Sequence, residues 1–207
     1  DLLFVYSRFT GNYGDDAPSD LAAMVSTDEG ETWSEPVTTI PASMYDTHNI
    51  MSTSLVRMQN GDVGLFYLVK RKPDDVRVFL SRSRDEGKTW YRHIECSLPD
   101  RPAYYVVNND RVERLSSGRL LIPVAYHRGS YSETDHSGYF DGRSFTLFFY
   151  SDDDGETWKE SAEAVFPPFT RTITGLQEPG AIELKSGVIW GYARTDQHCQ
   201  YEFFSYD

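Results

Sequence analysis

The sequence predicts an all-β fold assembled from repeated antiparallel units, and three observations carry that expectation. One eight-residue pattern, S-x-D-x-G-x-T-W, occurs as Ser26-Thr27-Asp28-Glu29-Gly30-Glu31-Thr32-Trp33, again from Ser83 to Trp90, and again from Ser151 to Trp158. A second pattern, an apolar strand pair joined by a glycine turn, recurs between the copies of the first. Its instances are Ser54 to Asp62 followed by Val63 to Val69, Val112 to Leu115 through Gly118 into Leu120 to Tyr126, and Ala181 to Leu184 through Gly187 into Val188 to Ala193. Thirdly, no segment shows a convincing helical period of apolar residues.

Each copy of the eight-residue pattern follows a strand-like run, Leu21 to Val25, Val78 to Leu80 and Phe145 to Tyr150. The physical content of the pattern is a tight turn between antiparallel strands. Ser and Asp side chains bond back onto the turn backbone. Gly supplies a positive φ at little cost, and Trp covers the hairpin with a large apolar ring. Every unit thus runs strand, glycine turn, strand, loop, strand, eight-residue turn, strand. Four antiparallel strands in roughly 40 to 50 residues are the mark of β-propeller blades, and the chain holds about three of them. Asp1 to Tyr6 opens like the second strand of a blade, and Ser205-Tyr206-Asp207 like the start of a fourth turn of the same kind. The expectation is a partial propeller domain over residues 1–207, an interior piece of a longer chain with unpaired sheet edges at its ends.

Composition narrows the function. The net charge of −12 argues against a nucleic-acid or anionic-membrane surface. No apolar run approaches the ~20 residues of a membrane span. An acidic ligand would need a local arginine cluster, and Arg outnumbers Lys here, which suits forked carboxylate binding. Cys96 and Cys199 have no metal or redox spacing and are expected to be buried free thiols. His48, His93, His127, His136 and His198 match no zinc motif, so neither metal nor cofactor is expected.

Topology sorts the loops into two faces. All glycine turns and all eight-residue turns share one face. The other gathers Arg8 and the loop to Asp20, the segment Lys70 to Arg77, the long loop from His127 to Ser144, and Arg194 to Gln200. Loops on a rigid scaffold are the usual carriers of function. Nine residues before Gly61, Gly118 and Gly187 stand Ser52, Asn109 and Glu178. All three occupy one slot, near the start of an innermost strand and aimed at the centre of the array. Glu178 is the unusual member, an acid where a wall needs none, although purely structural networks also hold such acids. Arg194 ends the following strand, so it emerges beside Glu178, as an ion-pair partner or as a contact to an acidic ligand. Asn109 and Arg8 are further candidate substrate contacts. The stretch from His127 to Arg143, with Tyr131, His136 and Tyr139, either roofs this face or is a plain surface loop.

The eight-residue pattern is the Asp box, and three intact copies resemble the sialidase (neuraminidase) superfamily and its Asp-box relatives, which are six-bladed propellers. The box itself is structural and reports no chemistry. Gly175-Leu176-Gln177-Glu178-Pro179-Gly180 followed by Arg194 resembles the family stretch holding a glutamate base and the second of three arginines. Leu2 to Arg8, a polar loop, then Asp16-Ala17-Pro18-Ser19-Asp20-Leu21 resembles the segment with the family's acid/base aspartate. Its place five residues before the strand points to Asp16 over Asp15 and Asp20; because the loop is long, Asp15 stays open. The resemblance implies retaining hydrolysis of a terminal sialic acid from a glycoconjugate, with tyrosine as nucleophile in place of a carboxylate. It implies Asp16 as acid/base, Glu178 as base to the tyrosine and Arg194 as a carboxylate-binding arginine, and favours a secreted or periplasmic enzyme. The first arginine would precede Asp1, and the third arginine and the tyrosine would follow Asp207. Two other classes share the fold: an exo-glycosidase for a neutral sugar, and a non-catalytic carbohydrate-binding propeller. The acid in the slot shared with Ser52 and Asn109 favours an enzyme.

Overall fold

The computed structural model describes residues 1–11, 14–98, 103–168 and 171–206. Within them the regular structure is β-strand apart from one 3-10 turn at Ala42–Tyr45. The first unit pairs β1 (Leu2–Phe9), β2 (Ser19–Ser26) and β3 (Val37–Ile40). The second is a four-stranded antiparallel meander of β4 (Ile50–Arg57), β5 (Val63–Lys72), β6 (Asp75–Ser83) and β7 (Tyr91–Glu95). The third contains β8 (Tyr104–Val106), β9 (Glu113–Arg114) and β10 (Leu120–His127). It continues through the small hairpin β11 (Gly129–Tyr131) and β12 (Gly138–Phe140) to β13 (Phe145–Ser151) and β14 (Lys159–Glu160). The last unit pairs β15 (Gln177–Glu183), β16 (Ile189–Arg194) and β17 (Gln200–Ser205).

The second and third units are not separate sheets, as simple repetition predicts. Strand β8 lies antiparallel to β10 and makes one parallel pairing, Tyr104 with Val76, to β6, so a nine-stranded sheet runs through both. Among the described residues no sheet closes on itself.

The core lies between successive units, which is why the central strands are apolar without interruption. Strands β5 and β6 are nearly continuously buried, and their side chains alternate between two cores, as the pleat requires. Phe66, Leu68, Val78 and Leu80 join Tyr105, Ile122 and Phe149 of the third unit. Leu65, Tyr67, Val69 and Phe79 join Val5, Leu21 and Ile40 of the first.

All three boxes form turns between paired strands, at the ends of β2, β6 and β13. In the second, the Ser83 hydroxyl accepts the Gly87 N–H (2.8 Å) and donates to Asp85 (2.7 Å). Asp85 in turn accepts the Thr89 N–H (2.8 Å) and the Thr89 hydroxyl (2.6 Å). The first and third boxes repeat this network. The glycine and the residue before it are both left-handed, as with Glu86 (φ 58°) and Gly87 (φ 85°). A side chain on Gly87 would run into Leu3 of β1, and one on Gly155 into Leu80 of β6. Each of these boxes thus docks on the preceding unit. The tryptophans differ in cover: Trp158 packs edge-on to Phe66 and Trp90 against the first core, whereas Trp33 meets the Phe4 ring edge-on and keeps 41% of its surface exposed.

Cys96 is a buried thiol as expected, but Cys199 is exposed, in the turn between β16 and β17 where no strand covers it. Asp207, part of the fourth box expected from the sequence, lies outside the described residues.

Candidate active site

The starts of β4 and β15 and the ends of β1, β5, β10 and β16 meet at the edge of the sheets opposite the boxes. They enclose an open cavity of about 900 Å³ whose lining includes Asp15, Ser52, Asn109, Glu178 and Arg194. No box tryptophan lines it.

Local backbone geometry explains the slot shared by Ser52 and Glu178. In both β4 and β15 the pairing register slips there, between Met51 and Ser54 and between Gln177 and Gly180. Ser52 (φ 62°) and Glu178 (φ 52°) are left-handed at these bulges. A bulge re-aims a side chain out of the alternating pattern, and holding a non-glycine residue left-handed costs on the order of 1 kcal/mol. The residues after Glu178 fit that geometry. Pro179 needs no ladder partner at a bulge, and any side chain at Gly180 would overlap the Tyr192 ring. In the third unit the left-handed residue near this slot is Asp110 (φ 55°), one place after Asn109.

Glu178 and Arg194 meet directly. The Arg194 Nε donates to one carboxylate oxygen (2.8 Å) and its Nη2 to the other (3.1 Å), while Nη2 also donates to Gln177 Oε1 (2.5 Å). Both side chains remain partly exposed, at 39% for Glu178 and 47% for Arg194. Asn109 uses its amide oxygen to accept the Thr53 N–H (2.9 Å), which ties the third unit to β4.

The structure separates the two loop aspartates. Asp15 lines the cavity, whereas Asp16 does not; its largely exposed carboxylate is bound by the Lys70 ammonium at the rim. Arg8 is also placed elsewhere. It is the one residue of Leu3–Phe9 that does not line the cavity, and its guanidinium donates to the Thr38 hydroxyl of β3.

The stretch from His127 to Arg143 holds the β11–β12 hairpin, and the hairpin brings Phe140 to the cavity, not Tyr131, His136 or Tyr139. Tyr131 and His136 bond each other near its tip (2.9 Å). Phe140 stacks on His127 (centroids 5.0 Å apart) and meets the Tyr104 ring edge-on (5.1 Å). Burial pushes the His127 imidazole below its ordinary pKa, against an upward pull from Asp141, and its Nδ1 bonds the Asp141 carbonyl (3.1 Å). Tyr104 and Asn49 are cavity residues absent from the sequence-based candidates, and Lys70 and His127 open two segments that the sequence assigns to this face without a role. Asn49 and His127 did carry a signal, one a polar residue just before an apolar strand and the other the polar last residue of one, both on the loop face. Among the described residues no group of three or more His, Cys, Asp or Glu is placed to hold a metal, and no helix is long and apolar enough to cross a membrane.

Comparison with known proteins agrees with this architecture. Residues 4–207 match the family described as BNR repeat-like domain. No curated protein matches the chain. Among solved structures, the sialidase of Trypanosoma rangeli in complex with the inhibitor DANA is similar at 18% identity and a TM-score of 0.68, over 99% of this chain and 34% of that one. The intramolecular trans-sialidase from Ruminococcus gnavus in complex with oseltamivir carboxylate is similar at 14% identity and a TM-score of 0.69, over 99% and 65%. The K499G mutant of NanB sialidase from Streptococcus pneumoniae gives 14% and 0.68, over 99% and 48%. The chain therefore spans only about a third to two thirds of the length of these structures, and at such identities the likeness speaks to fold alone. With its three Asp boxes and all-β repeat architecture, the chain belongs to the BNR repeat-like domain family and has the BNR-repeat fold of the sialidase superfamily.

Proposed function

We propose that this chain is part of a six-bladed propeller enzyme that hydrolyses terminal sialic acid from glycoconjugates with retention of configuration. About three blades lie within residues 1–207. Two facts support further chain completing the ring: the partial coverage of the similar structures and the exposed Leu2, Phe4, Ile182 and Phe204 on the outer units.

The observation that carries the reading is Glu178. It is an acid on a left-handed bulge, turned into the cavity and held at both oxygens by Arg194. In the proposed chemistry Glu178 takes the proton of a tyrosine supplied by the rest of the protein. A phenol approaches an anionic sugar as a neutral group, where a carboxylate nucleophile would be repelled. The tyrosine oxygen attacks the anomeric carbon while a loop aspartic acid gives its proton to the leaving oxygen. Of the two loop candidates Asp15 fits this role better, because it lines the cavity while Asp16 is engaged by Lys70. Water then releases the sugar from tyrosine, with the same aspartate acting as base. Arg194 binds the substrate carboxylate by charge-assisted bonds, and Asn109 is a further substrate contact; Arg8 has no part in this version of the site.

One observation favours a second reading, an exo-glycosidase for a neutral sugar. Arg194 is already bonded to Glu178 and Gln177, as an arginine that orients a base would be, with no anion required. The test is release of a fluorogenic leaving group by the longer protein from a sialoside and from a panel of neutral glycosides. Turnover of the sialoside is the expected result. Turnover of a neutral glycoside alone selects the second reading, and turnover of neither selects a binding propeller.

A further inference from the structure

The loop that brings Asp15 to the cavity is closed at its base by the Thr10 N–H bond to the Pro18 carbonyl (2.8 Å). It joins β1 to β2, and the Ala17 N–H to Gly14 carbonyl bond (2.9 Å) closes a turn across Asp15 and Asp16. One anchor outside the loop is Asn49, the residue before β4, which is fully buried and lines the cavity. The Asn49 Nδ2 donates to the backbone carbonyls of both Asp15 (2.9 Å) and Ala17 (2.7 Å), on either side of Asp16. Both partners are acceptors, so only the –NH₂ end of the amide can face them; the flipped amide would set three oxygens against one another. Its Oδ1, on the other side, is buried without a hydrogen-bond partner among the described residues. A buried acceptor left unpaired is a cost, carried here in an arrangement whose visible product is the placement of this loop.

Asn49 is itself rigidly held. Its carbonyl accepts the Lys70 N–H (3.1 Å), its backbone bridges to Ser19, and the Ser19 hydroxyl donates to Ile50 (2.7 Å). Lys70, fixed by the same backbone bond, binds Asp16 through its ammonium group. The loop is thus gripped at two points from one place, the junction of β4 with β5.

We infer that Asn49 is a positioning residue for the loop acid: it acts through its two bonds to the loop, which set where the Asp15 carboxyl stands relative to the leaving oxygen. The inference rests on the reading that this loop carries the general acid. Protonation of the leaving group matters most when that group departs as a poor, high-pKa alcohol, and little when it departs as an acidic phenol. A displaced acid therefore has a signature that general loosening lacks. An error of about 1 Å at such a group costs roughly 10²-fold.

The experiment compares wild type with Asn49→Asp and Asn49→Ser in the longer protein. Asp is isosteric but turns a donor into an acceptor facing two carbonyls, and Ser retains one donor should Asp fail to fold. The kcat/KM is measured on a nitrophenyl glycoside and on the corresponding alkyl glycoside, beside amide hydrogen exchange of residues 14–19. The expected result is a roughly 10²-fold loss on the alkyl glycoside, less than about threefold on the nitrophenyl glycoside, and faster exchange at the Ala17 N–H. Equal losses on both substrates, or exchange unchanged from wild type, overturn the assignment of Asn49 while leaving the enzymatic reading standing. Faster exchange in a protein whose wild type hydrolyses neither glycoside overturns the enzymatic reading, and the role of Asn49 in placing an acid falls with it.

Discussion

Replacing Glu178 with Gln separates the two things this residue can be, a structural ion-pair partner or a base. The structural cost follows from its surroundings. The Glu178–Arg194 pair is partly exposed at both ends, and such pairs contribute about 0–1 kcal/mol. A glutamine at this position retains an amide oxygen for one Arg194 bond, and the bond from Arg194 to Gln177 is untouched. Nor does the change alter the requirement for a left-handed backbone, which either residue must meet. The melting temperature should therefore fall by no more than about 4 °C, taking ~2–4 °C per kcal/mol for a domain of this size. Loss of a general base lowers turnover by about 10²- to 10⁴-fold, equivalent to ~3–5 kcal/mol of transition-state stabilisation. Fluorogenic kcat and thermal denaturation, run on the same preparation of the longer protein, read both numbers. Turnover within threefold of wild type would refute the catalytic role. A drop of 10 °C or more in melting temperature would refute the claim that the pair is structurally dispensable.

Arg194→Ala should raise KM for a sialoside by tenfold or more, as expected for losing charge-assisted bonds worth ~1.5–3 kcal/mol, and leave KM for a neutral glycoside nearly unchanged; equal effects in a KM comparison would favour an orienting role for Arg194. Asp15→Asn should lower turnover of alkyl glycosides by about 10²-fold or more, with Asp16→Asn within a few-fold of wild type, and the reverse order in the same assay would return the acid to Asp16. Stability should fall on acidification below about pH 4. Bonds from Thr32 and Thr89 hold the Asp28 and Asp85 carboxyls down at about 2. At Asp153 burial pulls upward, but the Thr157 and Ser151 bonds outweigh it and leave that group at about 2 as well. Carboxyls depressed below their unfolded value of ~3.9 stabilise the fold fully above that pH and lose the effect as pH falls towards 2. Urea denaturation from pH 5 to pH 2 measures the trend, which Asp85→Asn should flatten; stability constant down to pH 2 would contradict it.

How much could be read from the sequence differs between fold and site for physical reasons. The Asp box is legible because the whole network of Ser83, Asp85, Gly87 and Thr89 is closed within eight residues, so local chemistry alone fixes the turn. The slot of Ser52 and Glu178 is legible for a related reason: both stand at the same bulge, at a fixed distance from a glycine turn. What local sequence does not encode is pairing between distant segments. Along β1 every residue from Leu3 to Phe9 lines the cavity except Arg8, which turns to Thr38, and counting residues to a strand end does not reveal that exception. The choice between Asp15 and Asp16 depends on Lys70 and Asn49, both far along the chain from the loop. Strand β8 was unreadable as a link between units because its single pairing to β6 is tertiary. Phe140 was hidden behind more conspicuous neighbours, Tyr139 and His136, and only the hairpin register shows which ring faces His127.

The reaction proposed for the cavity holding Glu178 is retaining hydrolysis of a sialoside. Proton NMR of the longer protein acting on an α-sialoside tests it most directly, by following the anomeric form of the free sugar in the first minutes before mutarotation. The α anomer should appear first and convert to β only later, and Glu178→Gln should abolish its appearance on that timescale. Release of the β anomer first, or no release of sialic acid by a folded protein, would contradict the claim.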